Sequence, residues 1–300
     1  MIPSKGVDAG AGSTVDKRMS FTQVHDPERK PSPGDLVLLS HEGLLLVVGD
    51  KASAPSLPTF GSLDEATRSL LFREQDRSVQ SSTLLLGELE GVTVWAALAP
   101  SAAEAPGGTV WRELRPLLAL LSPGLAQAVA CARELLWWER RHRFCGCCGA
   151  PAHDSPRERA RVCTRCGETS YPVIAPAVIV AILRGDEILL AHNRNFRPGL
   201  HSLIAGFVDP GETLEQCVAR EAFEETGLRV HKARYVTSQP WPYPASLMLG
   251  FVAELREGDI KVDGVEIEGA AWFRRDALPE IPIPGTVARR IIDAWLNREL

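Results

Sequence analysis

Residues 206–228 read GFVDPGETLEQCVAREAFEETGL. Thr213 followed three residues later by Gln216 has the pattern of a capping box, which starts a helix at Leu214. Leu214, Val218 and Ala222 recur at helical spacing and form an inward face. Gly227 follows the last turn, where a left-handed backbone costs glycine nothing. Upstream, Gly206 and the Asp209-Pro210-Gly211 turn make a tight loop leading out of a strand at Leu203 to Ala205.

On this helix Glu221, Glu224 and Glu225 stand at i, i+3 and i+4 and share one face. Their charges repel, and they sit at the C-terminal end, where the helix dipole disfavours carboxylates. A divalent cation resolves both conflicts, and an all-oxygen cluster suits Mg²⁺ or Mn²⁺. A solvated acidic face is the plainer alternative.

The spacing Gly206-x5-Glu212-x7-Arg220-Glu221-Ala222-x-Glu224-Glu225-x-Gly227-Leu228 resembles the signature of the Nudix hydrolases at every fixed position. Ala222 departs mildly, being small where the family carries a larger aliphatic residue; this concerns packing. The resemblance implies hydrolysis of a nucleoside diphosphate linked to a further group, through a metal-activated water.

The 300 residues allow two domains, and the apolar fraction of 45% is ordinary for a globular protein. A net charge of −5 argues against a large nonspecific nucleic-acid surface. No secretory signal opens the chain, and residues 1–34 read as a disordered tail. The run from Pro116 to Ala132 is broken by Ser122-Pro123-Gly124 and falls short of the ~20 residues of a membrane span. The expected location is the cytoplasm, with no membrane partner.

Cys145 and Cys148 form one Cys-x2-Cys pair, and Cys163 and Cys166 form another. This is zinc-ribbon spacing; four thiolates close a tetrahedral set, so the zinc is structural. Disulfides are the competing account. Cys147 stands outside the set, and Cys131 and Cys217 are read as core.

Hairpins are expected at 35–49 and at 83–98 with Gly91 in the turn, and helices from Trp111 to Leu121 and Leu125 to Arg143. After the ribbon, strands are expected at Val173 to Leu183, Glu187 to His192, Arg234 to Thr237, Leu247 to Leu255 and Ala270 to Arg274, and a helix from about Thr286 to Arg298. The division is then an N-terminal domain over 35–143, a zinc ribbon over 144–172 and a hydrolase domain over 173–300. The fold class is α+β: a Nudix-like α/β/α sandwich around a mixed sheet, preceded by the ribbon and a smaller N-terminal α+β domain.

Residues 238–246 read SQPWPYPAS. Three alternate prolines exclude an interior strand and give a stiff, extended loop from which Trp241 and Tyr243 project. Such a loop suits recognition of flat rings; a proline-rich turn whose aromatics cover the core is the other reading. The ribbon, the Nudix box and this loop together resemble the NAD(H) pyrophosphatase branch of the family, over about residues 144–298.

That resemblance implies cleavage of NAD(H) to AMP and nicotinamide mononucleotide and a homodimer, with removal of NAD caps from RNA as a second activity. A Nudix hydrolase of another nucleoside diphosphate derivative and a zinc-ribbon RNA-binding protein are the alternative readings. The resemblance implies Glu221 and Glu225 as ligands of Mg²⁺ or Mn²⁺, and Glu224 as ligand or base. Glu225 is the other candidate base, and Arg220 orients the carboxylates or pairs with them structurally. Ala205 gives a backbone carbonyl to the metal, and Glu266 a further carboxylate, with Glu268 as competitor. Tyr171 and Phe207 sandwich a base. Gln239, Pro240, Trp241, Pro242, Tyr243, Pro244, Ala245 and Ser246 form the recognition loop, Ala288 touches substrate through its backbone, and Arg115 reaches it from the N-terminal domain.

Overall fold

The computed structural model describes residues 21–49, 55–71, 83–99, 105–117 and 120–300. Part of the expected tail is structured: β1 (Phe21–Gln23) pairs with β4 (Thr83–Leu89), and Phe21 is buried. The polar composition of this stretch hides its one apolar anchor; residues 1–20 lie outside the described set.

The first sheet also contains β2 (Leu36–His41), β3 (Leu44–Val48), β5 (Val92–Leu98) and β6 (Thr109–Glu113), in the order β1-β4-β5-β2-β3-β6. Both expected hairpins are present, β2 with β3 and β4 with β5, while β2 and β5 run parallel. Helix α1 (Glu65–Leu71) lies between β3 and β4 in sequence. Alternation along β2 sends Leu38 to one face and Val37 and Leu39 to the other. The Leu38 face is covered by α3 (Pro123–Arg141), through Leu125, Val129, Ala132 and Leu136.

The helix expected from Trp111 to Leu121 is corrected. Residues 109–113 are strand β6, paired with β3, and among the described residues of that span the α-helical part is α2 (Leu114–Leu117). Thr109, Val110 and Trp111 favour extended backbone, and the open edge of β3 supplies their hydrogen bonds. Residues 118 and 119 are outside the described set.

A small sheet follows, β7 (Ala152–Asp154), β8 (Arg161–Cys163) and β9 (Thr169–Ser170). The last sheet is built on β10 (Ala175–Arg184), a β-branched run buried on both faces. It is joined by β11 (Glu187–Asn193), β12 (Ile204–Phe207), β13 (Arg229–Trp241), β14 (Ser246–Glu257) and β15 (Ile267–Arg274). The order is β13-β14-β10-β11-β15, with β12 on β10; β10 and β14 are parallel and the other pairs antiparallel. Val178, Val180 and Ile182 face α4 (Leu214–Thr226), while Ile179 and Ala181 face α5 (Val287–Leu296). The result is the expected α/β/α sandwich around a mixed sheet.

The proline loop is shorter than its sequence suggests. Strand β13 runs on through Pro240 to Trp241, leaving only residues 242–245 as the connection. β13 is the sheet's edge, so Pro240 forfeits no bond to a further strand.

Candidate active site

Helix α4 begins where its cap dictates. The Thr213 side chain accepts from the Gln216 backbone N–H, and Gln216 Oε1 accepts from that of Thr213 at 2.8 Å. Gly227 ends the helix at φ 72°. These two ends set the phase of the helix and aim Glu221 at β12.

Gly206 makes that approach possible. A Cβ on it would lie 1.9 Å from the Glu221 carboxyl carbon, so the carboxylate occupies the volume a side chain would need. Glu221 is thereby buried against the strand that carries Ala205, whose partner in β10 is Ile179.

Arg220 ties loop to helix. Its guanidinium donates to both oxygens of Glu212, at 2.9 and 2.8 Å, and to the Phe207 carbonyl at 2.8 Å. It also donates to Glu221 at 2.8 Å and Glu224 at 3.0 Å. Glu212 is held well below the usual carboxylate range, at about 2, by Arg220 and the Asp209 backbone N–H. The sequence reading missed Glu212 as the anchor of this fork, although it is a fixed position of the motif.

Glu225 is buried, and burial together with Glu221, Glu266, Asp263 and Glu224 pushes its carboxyl up to about 8. Glu221 is raised mainly by burial, against the pull of Arg220. Glu224 is the exposed member, with 58% of its side chain accessible. Arg220 compensates the rim of this cluster, and among the described residues Glu225 has no cation within ion-pair distance. The excess negative charge sits on oxygens alone, the donor type a hard divalent ion takes, though among the described residues these carboxylates are not gathered as closely as the four ribbon cysteines.

Of the two competing carboxylates downstream, Glu266 acts electrostatically on both Glu221 and Glu225. Glu268 instead stands 3.9 Å from His192 Nε2. The loop carrying Glu266 is folded around Asp263, whose carboxylate accepts from the backbone N–H groups of Val265, Glu266 and Ile267. Asp263 was not singled out in the sequence; its signal is an Asp-Gly pair beginning a tight turn.

The register of β10 brings the second motif to this end of the sheet. Ala175 pairs with Ser246 on one side, and Ala177 pairs with Phe207 on the other. Two strand spacings, roughly 10 Å, therefore separate the end of the proline loop from the Nudix loop. Gln239 fastens the other end: its Oε1 accepts from the Val287 N–H at 2.7 Å, and its Nε2 donates to the Gly285 carbonyl at 2.9 Å. Ala288 is the next residue of α5 and is buried, as are Pro242, Ala245 and Ser246. Pro244 is exposed. Trp241 and Tyr243 have ring centroids 5.3 Å apart. Phe207 and Tyr171 are 57% and 52% exposed, and the Tyr171 hydroxyl donates to Glu158 at 2.9 Å.

In the ribbon, Cys145, Cys148, Cys163 and Cys166 place their sulfurs within 4.8 Å of one another. The closest pairs, 3.4 Å for Cys148 and Cys163 and 3.6 Å for Cys145 and Cys166, are far from bonded. A tetrahedral zinc with Zn–S of about 2.3 Å spaces its sulfurs about 3.8 Å apart, so the set fits that ion. Backbone N–H groups of Arg165 and Cys166 point at Cys163 Sγ and pull that thiol down to about 6. Cys147 lies outside the cluster.

Comparison with known proteins follows the same three parts. Residues 34–138 match the NADH pyrophosphatase-like rudimentary NUDIX domain, 140–171 the NADH pyrophosphatase zinc ribbon domain and 173–296 the NUDIX domain. The NAD-capped RNA hydrolase NudC of Stutzerimonas stutzeri (strain A1501) is 44% identical over 215 residues, 72% of this chain and 78% of that protein. The protein of that name from Citrobacter koseri is 47% identical over 215 residues, 72% of this chain and 81% of its own length. The Klebsiella pneumoniae (strain 342) protein is 54% identical over 171 residues, 57% of this chain and 66% of its own. With a four-thiolate ribbon, a glutamate helix set against Gly206 and relatives covered over most of their length, this chain belongs to the Nudix hydrolase family, in its NADH pyrophosphatase-like, zinc-ribbon branch.

Proposed function

We propose that this enzyme hydrolyses the pyrophosphate bond of NAD(H), releasing AMP and nicotinamide mononucleotide, and that it removes NAD caps from the 5′ ends of RNA. The register of β10 carries the reading: it sets the recognition loop, through Ser246, beside the carboxylate helix, through Phe207. One end of the sheet thus offers stacking rings next to a site built for a cation and a diphosphate. The names of the relatives, NAD-capped RNA hydrolases, support the same substrate class.

Glu221, Glu225 and Glu266, with the Ala205 carbonyl, are the residues to hold Mg²⁺ or Mn²⁺. When bound, such an ion neutralises diphosphate oxygens and acidifies a water. In this reading Glu224, exposed and bonded to Arg220 at 3.0 Å, takes the proton of the attacking water, with Glu225 as the other candidate base. Arg220 is a positioning residue, because its bonds to Glu212, Glu221 and Glu224 fix the carboxylates relative to the loop. Trp241 offers a ring for the dinucleotide, and Gln239 keeps the loop on α5. Exposed Phe207 and Tyr171 belong to a homodimer in this reading, each completing a base sandwich. A reducing cytoplasm, where the ribbon thiols stay available for zinc, goes with it.

The test is product analysis with NADH, ADP-ribose, diadenosine polyphosphates and NAD-capped RNA, each with Mg²⁺ and with Mn²⁺. AMP and reduced nicotinamide mononucleotide formed preferentially from NADH are expected. Turnover of the other dinucleotides without NADH would discard the substrate and keep the chemistry.

A further inference from the structure

The recognition loop is gripped from outside its own domain. Between Trp241, the last residue of β13, and Ser246, the first of β14, the chain makes a turn whose Tyr243 N–H donates to the Trp241 carbonyl at 2.8 Å. The Tyr243 ring meets two guanidinium groups of the N-terminal domain. Arg115 of α2 and Arg133 of α3 each have Cζ 5.1 Å from the ring centroid. Arg133 also donates through Nε to the Pro242 carbonyl at 3.3 Å, a link between residues 109 apart in sequence. The Tyr243 hydroxyl oxygen is buried.

These contacts are not incidental packing of long side chains. Among the described residues neither arginine has a carboxylate within ion-pair distance, although the protein carries an excess of acidic residues. Two like charges converge instead on one ring and one carbonyl of the loop. The ring's negative face attracts both. The bond to Pro242 fixes the backbone, since proline lacks an N–H and presents only its carbonyl. Tyr243 in turn packs against Trp241 at 5.3 Å. A continuous chain of contacts therefore runs from α3 through Arg133, Pro242 and Tyr243 to Trp241. The other end of the loop is held within the hydrolase domain by Gln239.

We propose that Arg133 is a positioning residue for the recognition loop, and that through it the N-terminal domain sets substrate affinity at the Nudix site. This rests on the substrate reading above only for the choice of NADH as reporter. Tyr243 is the coupling element: its ring is spent on the arginines, and Trp241 is the ring left for substrate. Arg115 contributes less, because it is exposed and reaches the Tyr243 ring and hydroxyl, whereas Arg133 also bonds the loop backbone at Pro242. Affinity that comes from a preformed loop is shared by ground state and transition state, so its loss raises KM and spares kcat.

The experiment is a double-mutant cycle of Arg133→Ala and Tyr243→Leu in the full-length, zinc-loaded protein. It reads steady-state NADH hydrolysis, and hydrogen exchange over residues 239–246. Arg133→Ala is expected to raise KM about tenfold with kcat within about twofold. Exchange over the loop rises, and Arg133→Ala costs less in the Tyr243→Leu background than in the wild type, where the ring contact as well as the bond to Pro242 is lost. A wild-type KM in folded Arg133→Ala overturns the proposal, as do effects that multiply in the double variant, because Arg133 would then act independently of Tyr243. If Arg133→Ala does not fold, Tyr243→Leu decides, since it leaves the N-terminal domain intact: unchanged KM there overturns the proposal. If wild-type protein does not cleave NADH, the substrate reading fails on that fact alone. Loop exchange in Arg133→Ala then decides the clamp, and wild-type exchange sinks it.

Discussion

Gly206 and Glu221 show how much chemistry can rest on one missing side chain. The Cβ of an alanine at 206 would fall 1.9 Å from the Glu221 carboxyl carbon. That carboxylate is the end of a movable side chain, so the fold accommodates alanine by displacing it. Gly206→Ala should therefore keep its far-UV circular dichroism and lose on the order of 100-fold in kcat/KM, the cost of an ångström-scale misplacement at a reacting centre. Wild-type activity in this variant would remove Glu221 from the site. Glu225→Gln, of nearly equal shape, should abolish turnover in the same assay while the zinc content stays at one per chain, measured by elemental analysis. The glutamates were legible because helix period alone puts 221, 224 and 225 on one face. The Arg220 fork to Glu212 and the Asp263 turn were not, because both depend on where a loop closes in space.

At the scale of elements, the ribbon depends on its metal more than on its core. Its described interior consists of little beyond Cys145, Cys163, Ala160 and the Arg161 side chain. Too little apolar surface is buried there to offset chain entropy, and a structural zinc supplies the difference. The ribbon is also tied to the first sheet, since Arg159 donates to the carbonyls of Val24 and Leu85 at 2.8 and 3.1 Å. Removing zinc with a chelator should release those bonds. Hydrogen exchange should then rise over residues 21–24 and 83–89 as well as over 145–170, with α4 unaffected. Exchange confined to the ribbon would show that the two parts are uncoupled. Elements with a strong local signal, such as the capped α4 and the β-branched β10, were legible from sequence. Where a neighbour's edge decides, they were not. β6 takes strand form because β3 offers it hydrogen bonds, and β13 extends through Pro240 because nothing pairs beyond it.

Across the whole molecule, the domains meet through buried charge that no single segment reveals. Glu139, near the end of α3, is buried where the first sheet and the ribbon converge. Burial first, then Asp154, push its carboxyl up to about 8, and Arg161 and Arg159 only partly oppose this. His25 and His153 line the same cleft. A carboxyl whose folded pKa lies above its ordinary 4.5 binds more protons in the folded chain than in the unfolded one. Its effect on stability is therefore absent below the ordinary value, and stability is lost as pH rises from there to about 8, where both states are ionised. The limiting slope is about 1.4 kcal/mol per pH unit for one proton. Glu134 and Glu225 are raised as well and act with the same sign, so the contribution of Glu139 must be isolated by difference. Glu139→Gln keeps the shape and cannot ionise. In denaturant melts of zinc-loaded protein between pH 5 and 8, it should lose less stability with rising pH than the wild type does. Parallel pH dependence in the two proteins would mean that Arg159 and Arg161 hold Glu139 ionised, and the seam would then be an ion network rather than a neutral acid between two cations.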